Sequence, residues 1–513
     1  MNGADALIET LVLNEVTTCF ANPGTSEMQF VSALDRQPRM RPVLCLFEGV
    51  AAGAADGYGR MAGKPACTLL HLGPGYGNAL ANLHNARRAY TPIVNVIGDH
   101  ATWHRRFDAP LTSDVAAIAA PNSLWVRSAE AADEVGGLAA EAVAASYGPP
   151  GGSASLILPA DCAWNETTAV GDRGERPCKR GIDGALVKEA ARRMRAARMP
   201  VLLLGSGACA EDALATAGRI AATGVRVLVD TFVARQSRGA GRFAPDRMMY
   251  FGEMALADLE GIDLMVLVET TAPVAFFAYP DRPSVLVPDG CETLSLATRG
   301  EDGPAALAEL ADALGASQAG ARQALDLPAP QEGRLTAAGA GAAIGRHMPE
   351  GAVVSDDSVT SGQPIVNLTR GARPHDWLGL TGGAIGQGIP VAVGAAVACP
   401  DRKVISLNGD GAASYTMQGL WSVAREGLDV TVVVFANHSY RILGIELGRT
   451  GAGNPGPAAS RLLDLGDPAV DWVGLAKSMG LPAVRCETAE DFDIAFAHAM
   501  AQTGPCFIEA AIA

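Results

Sequence analysis

A chain of 513 residues, 49% apolar and 5% aromatic, has the length of about three domains at roughly 150 residues each and the composition of a packed α/β protein, which excludes a disordered or fibrous one. Its formal charge of −15 argues against nucleic acid or an anionic membrane as the main partner, because both require a basic face. The ten cysteines carry no CxxC spacing, no apolar run reaches the ~18 residues of a membrane span, and MNGADALIETLV has Asp5 and Glu9 where a leader would be basic; a soluble protein of the reducing cytoplasm is expected.

In chain order, VTTCFANPG, PVLCLFE, PACTLLHLGPG, PIVNVIGD and SASLILPAD are short apolar strands ending in turns, and they fill a first unit over 1–165. NETTAVGDRGERPCKRG is a polar linker. A second unit over 182–325 has MPVLLLGSGA, VRVLVD, DLMVLVE and PSVLVPD as strands, and DLPAPQEGR forms a second joint. A third unit over 335–513 carries GAVVSDDS, KVISLNGDG, VTVVVFANHSY and CFIEAAIA. Strands alternating with amphipathic helical stretches predict the α/β class, with three Rossmann-like parallel sheets covered by helices.

In the third unit KVISLN is a strand, Gly409-Asp410-Gly411 its terminal turn, SYTMQGLWSVAREG a helix, and DVTVVVFA the next strand, ending at Asn437. In parallel sheets ligands collect at the carboxyl ends of strands. Asp410 and Asn437, with a backbone carbonyl near Ser439, are the hard oxygen set that Mg²⁺ or Ca²⁺ takes. Gly409, Gly411 and Ala412 let backbone N–H groups approach a phosphate at a helix N-terminus. The stretch calls for a metal-bridged diphosphate.

GDG at 409–411 followed by Asn437, together with the preceding GGAIGQGIPVAVGAAVACPDRKVI, resembles the signature of thiamine-diphosphate enzymes. That family usually has paired asparagines where this chain has Ala436-Asn437, which leaves the metal ligand in place and removes its neighbour. The resemblance implies a glutamate on a separate unit. In PVLCLFEGVAAGAADGYGRMAGKPA, Glu48 follows an apolar strand and opens a small-residue helix, like the activating glutamate of acetohydroxyacid synthases and benzoylformate decarboxylase. Its proton, shared with pyrimidine N1′, would favour the imino tautomer that deprotonates the thiazolium C2.

The same resemblance assigns further residues. FANPGTSEMQF is similar to the family's NPG loop, with Asn22, Pro23 and Gly24 at the cofactor and Thr25 and Ser26 presenting hydroxyls to a substrate. LLHLGPGYGNALANLHNA resembles the strand, glycine turn and helix facing the cofactor, with Gly75 in the turn, Asn78 orienting, and His71 where benzoylformate decarboxylase has an active-site histidine. In TGGAIGQG, Gly383 matches the position whose carbonyl accepts from the 4′-amino group, and Ile385 the wedge beneath the bent cofactor. TAPVAFFAYPDRP places Phe276 and Phe277 where that decarboxylase has its second histidine. GDHATWHRRFDAP offers His100 and His104 on a loop, without the adjacency of the paired histidines in pyruvate decarboxylases.

The expectation that follows is a thiamine-diphosphate enzyme acting on a 2-oxo acid, with acetolactate-type carboligation ahead of simple decarboxylation, although the acid-Ala-Phe-Gln loop of acetolactate synthase is missing. The family pattern implies a homodimer or homotetramer with sites between subunits. A second class is open: LLLGSGACA fits GxGxxA after a strand, with Asp230 closing the next strand as a ribose-binding acid would, the pattern of a flavin or nicotinamide oxidoreductase. Middle domains of the family bind FAD in many members and nothing in others. A third class, a degenerate binding subunit, is opposed by retention of Glu48, Asp410 and Asn437.

Overall fold

The computed structural model describes residues 1–512. The first unit contains β1 (Thr18–Ala21), β2 (Arg41–Leu44), β3 (Ala66–Leu70), β4 (Ile93–Asp99), β5 (Trp125–Ser128) and β6 (Ser153–Pro159), all parallel in the order β2-β1-β3-β4-β6-β5. Alternate residues pack on opposite faces, as the pleat requires. Cys19, Cys67, Val94 and Val96 meet helices Gly3–Leu13 and Ala132–Tyr147. Phe20, Ala66, Leu70, Ile93 and Ile97 meet helices Glu48–Ala62 and Leu72–Ala89.

The second unit contributes β7 (Pro200–Leu204), β8 (Arg226–Val229), β9 (Gln236–Arg238), β10 (Asp246–Arg247), β11 (Leu264–Val268) and β12 (Glu292–Ala297). Five of these form a parallel sheet, β10-β8-β7-β11-β12. The third unit adds β13 (Ala352–Asp357), β14 (His375–Leu378), β15 (Val404–Gly409), β16 (Val430–Ala436), β17 (Ala483–Cys486) and β18 (Cys506–Ala511), in the order β17-β18-β16-β15-β13-β14-β9. The three parallel-strand sheets expected from the sequence are therefore present. β9 leaves the middle unit and closes the third sheet antiparallel to β14, a cross-unit pairing with no local sequence mark.

Four local expectations change. PSVLVPD is not a strand: Pro283 and Pro288 each lack the N–H that a ladder needs, and Val285 makes only a single bridge, to Val274. The sheet takes β12 instead. β5, β14 and β17 are short strands absent from the sequence reading. The stretch expected as one helix after the GDG turn is two, Asp410–Ala413 and Gly419–Arg425. Between them Ser414 Oγ donates to Asp410 O and Thr416 Oγ1 to Gly386 O, side-chain bonds that compete with helix continuation. The expected glycine turn after β3 is already the first turn of helix Leu72–Ala89.

The first and third units share one core through helices Glu48–Ala62 and Gly388–Ala398. Their contact is backbone to backbone: a Cβ built on Gly57 would stand 2.1 Å from Val391 O, and one on Gly394 1.8 Å from Ala54 O. No larger residue fits without separating the helices. No described helix is long and apolar enough to cross a membrane.

Candidate active site

Glu48 is the first residue of its helix, where the N-terminal field favours a carboxylate. It is 6% exposed. Asn78 Nδ2 donates to its Oε2 at 3.0 Å, and four residues on Asn82 Nδ2 donates to Gly49 O at 2.7 Å. Gly75, on the same face of the helix, lies against the other oxygen: a Cβ there would stand 3.0 Å from Glu48 Oε1. Of these three positions at helical spacing, Asn78 bonds the carboxylate, Gly75 leaves room for it, and Asn82 holds the backbone of the next residue.

His71 closes the strand-to-helix corner, followed by Leu72 at φ 48°, a left-handed value uncommon for a branched apolar residue. Its Nδ1 lies 2.9 Å from Glu27 Oε2. Glu27 went unassigned from sequence although it sits three residues beyond Gly24, whose N–H donates to the same oxygen at 2.7 Å. Burial pushes the Glu27 carboxyl above its ordinary range, against the opposing pull of His71 and the Gly24 amide. A Cβ on Gly24 would stand 2.2 Å from His71 Nδ1, so the NPG loop packs directly on the histidine. Thr25 and Ser26 lie on the intervening turn, Thr25 exposed and Ser26 half-buried. Asn22 is anchored through its amide to Leu69 O.

In the third unit β13, β15 and β16 end side by side at Asp357, Gly409 and Ala436. Asp410 is 5% exposed. Its Oδ1 accepts from Gly411 N at 2.8 Å and its Oδ2 from His438 N at 2.6 Å. Burial pushes its pKa up while those amides oppose the shift. Asn437 Oδ1 accepts from Ser439 N at 2.9 Å, and His438 between them has φ 53°. The His438 amide therefore ties Asp410, at the start of its short helix, to the separate loop after β16 that carries Asn437 and Ser439. Among the described residues no lysine or arginine pairs with Asp410 and no group of three His, Cys, Asp or Glu side chains gathers to hold a metal. One buried carboxylate, one amide oxygen and one backbone carbonyl fit a hard cation that shares its shell with phosphate.

The loop before helix Gly388–Ala398 turns at Gly383, φ 74°, and Gly386, φ 98°. Asp357, also unassigned from sequence, pins it: its Oδ2 accepts from Gly386 N at 2.7 Å and Gly388 N at 3.1 Å, while Oδ1 has no partner among the described residues. Burial pushes Asp357 up to about 7 against those two bonds. Ile385 is half-buried. The Phe276 ring lies 3.1 Å from where a Cβ on Gly383 would be. Phe276 continues into a wall with Phe232, Tyr250 and Phe277, ring centroids 5.1 to 5.7 Å apart. His100 and His104 pack on each other, ring centroids 5.4 Å apart, and His104 also packs on the exposed Trp103 and Phe107.

The two halves are locked through helix Leu72–Ala89. Asn85 Nδ2 donates to Ala384 O at 2.7 Å and its Oδ1 accepts from Ala384 N at 3.2 Å. Arg60, buried with Asp56, donates to Gly379 O at 2.8 Å and Thr381 Oγ1 at 3.2 Å. Asn78 and Asn85 are two turns apart, about 10 Å along the axis.

Comparisons with known proteins agree with this architecture. A family described as "Thiamine pyrophosphate enzyme, N-terminal TPP binding domain" matches residues 1–118, and "Thiamine pyrophosphate enzyme, C-terminal TPP binding domain" matches 361–510. The chain is 51% identical over 519 residues, covering 100% of itself and 99% of the relative, to a Mycobacterium tuberculosis protein named "Putative acetolactate synthase large subunit IlvX". It is 28% identical to a benzoylformate decarboxylase of Pseudomonas aeruginosa, covering 98% and 97% of the two chains. Among solved structures, a thiamine diphosphate-dependent 4-hydroxybenzoylformate decarboxylase of Rhodococcus jostii superposes with TM-score 0.86 at 24% identity, covering 100% and 99%. That likeness shows the shared fold.

Proposed function

The chain belongs to the thiamine pyrophosphate enzyme family, and from that membership we propose that it decarboxylates a 2-oxo acid and transfers the resulting acyl anion equivalent to a second carbonyl. Thiamine diphosphate supplies the carbon nucleophile that attacks the 2-oxo carbonyl and the electron sink that makes loss of CO₂ feasible. Glu48 holds the proton exchanged with pyrimidine N1′, and Asn78 fixes the carboxyl. Asn22, Pro23, Gly24 and Gly75 bound the cofactor on that side. Asp410, Asn437 and the Ser439 carbonyl would hold Mg²⁺, or Ca²⁺ in its place, for a diphosphate that Gly409, Gly411 and Ala412 would line. The Gly383 carbonyl would accept from the cofactor's amino group, and Ile385 would support the cofactor from below. Thr25, Ser26 and His71 meet the substrate, and Phe276 and Phe277 wall its pocket.

The observation that carries the choice of carboligation is Phe276 against Gly383. An apolar ring there delivers no proton to the carbon left by decarboxylation, which favours its capture by a carbonyl. Incubating a panel of 2-oxo acids with protein, Mg²⁺ and thiamine diphosphate tests this. C–C ligated hydroxyketone products support it, and aldehyde as the sole product from every acid refutes it. A second reading, non-oxidative decarboxylation of the benzoylformate type, is favoured by the Glu27–His71 pair, an imidazole hydrogen-bonded to a buried carboxyl on the unit that carries Glu48.

We also assign a homodimer or homotetramer of cytoplasmic location. Within one chain Glu48 meets the helix at Asn78, whereas the Gly383 loop docks two turns further on, at Asn85. A second copy would complete each site. Sedimentation tests this, and a monomer with full activity would refute it.

A further inference from the structure

The middle unit retains the layout of a nucleotide-binding α/β module. The Gly205–Ala208 loop follows β7, helix Glu211–Ala221 follows the loop, and Asp230 follows β8. In such modules phosphates lie on the glycine loop beside a helix N-terminus, and the acid takes ribose hydroxyls. Here both places are filled from within. Glu269, the residue after β11, directs its carboxylate into the gap: a Cβ on Gly207 would stand 1.5 Å from Oε2, and one on Gly303 would stand 2.5 Å from Oε1. Gly303, the first residue of helix Gly303–Leu314, donates its N–H to Oε1 at 3.1 Å, and Lys179 Nζ reaches the same oxygen at 2.5 Å. An amide at a helix start and a lysine are the contacts a phosphate oxygen would seek. Thr270 Oγ1 donates to both Asp230 oxygens, at 2.9 and 2.7 Å.

Glu269 holds this pose at φ 54° and 4% exposure, a left-handed conformation that a residue with a Cβ keeps only when its surroundings impose it. The adjoining cleft of about 490 Å³ is lined by Lys179, Arg235, Arg242 and Arg299. Their charges are already engaged: Arg235 with Asp376, Arg242 with Glu211, Lys179 with Glu269, and Arg299 on the Tyr90 hydroxyl and ring. An entering diphosphate would have to displace a carboxylate and would meet its charge.

We infer that the Glu269 carboxylate is a built-in substitute for a ligand phosphate, and that it closes the middle unit to FAD, NAD and other nucleotides. The full chain is titrated with FAD, followed by flavin fluorescence, and with ADP, followed by calorimetry. The parent protein is expected to show no saturable binding of either. Glu269→Gly removes the carboxylate and relieves the left-handed backbone, and it is expected to bind ADP or FAD at least about tenfold more tightly than the parent. Glu269→Gln keeps the bulk without the charge, and it is expected to gain less. It also carries the test if the glycine variant does not fold. Micromolar nucleotide binding by the parent, or no gain in either folded variant, overturns the inference.

Discussion

Asn78 Nδ2 lies 3.0 Å from Glu48 Oε2 and donates to it, so this side chain orients the acid. A carboxylate that accepts from a fixed amide at a helix start is held in one rotamer, with its other oxygen facing the space left by Gly75.

Glu48→Gln keeps that rotamer and the fold but removes the acid. We expect C2 proton exchange of bound thiamine diphosphate to slow ~10²- to 10⁴-fold, as for loss of a general acid–base group. Quenched exchange in D₂O, read by NMR, measures this. Exchange as fast as in the parent would make Glu48 a helix-start residue only.

Asp410→Ala removes the one carboxylate of the proposed cation site and leaves the Gly411 and His438 amides without an acceptor. The Mg²⁺-dependent part of thiamine-diphosphate affinity should vanish, seen as a loss of the Mg²⁺-induced rise in melting temperature at fixed cofactor. An unchanged rise would place the metal elsewhere.

Phe276→His returns a proton donor to the position against Gly383. With the same 2-oxo acid, the ratio of aldehyde to ligated product should rise severalfold while the rate of CO₂ release stays within a factor of a few. An unaltered ratio would show that this ring does not govern partition.

Asp357 gives a pH signature. Because burial raises it to about 7, the native state between roughly pH 4 and 7 keeps a proton that the unfolded chain has released. Its contribution to stability is full below about pH 4 and is lost as pH rises to about 7, a loss of about 4 kcal/mol at most. Asp357→Asn should remove this slope, so urea midpoints of variant and parent should diverge from pH 4 to 7 and run parallel above it. Parallel behaviour throughout would show that Asp357 is ionised in the native state.

Gly57→Ala places a methyl 2.1 Å from Val391 O, where backbone cannot yield as a side-chain tip does. Overpacking of this kind costs about 1 to 3 kcal/mol, and chemical denaturation should show at least that loss. Gly77→Ala, whose Cβ meets nothing within 4 Å, is the control and should be neutral or slightly stabilising.

The residues that the sequence determined by itself are those whose role follows from position along the chain. Asp410 and Asn437 close apolar runs, so the parallel-sheet rule alone sends both to a ligand edge, and Glu48 follows a strand and opens a helix in the same way. Their resemblance to a known signature added the cofactor. Tertiary structure decided what depends on contacts between distant segments. Glu27 acquires its role only because the NPG turn folds onto His71, and Asp357 only because a loop nearly thirty residues later presents two amides to it. β9 pairs with β14 across a unit boundary, and PSVLVPD, apolar enough for a strand, is stopped by two prolines while β12 takes the edge. Glu269 sat unremarked at the end of DLMVLVE. Its carboxylate fills the glycine loop because of a left-handed backbone and the distant partners Lys179 and Gly303, and backbone handedness and long-range pairing are set by packing, which local residue order does not encode.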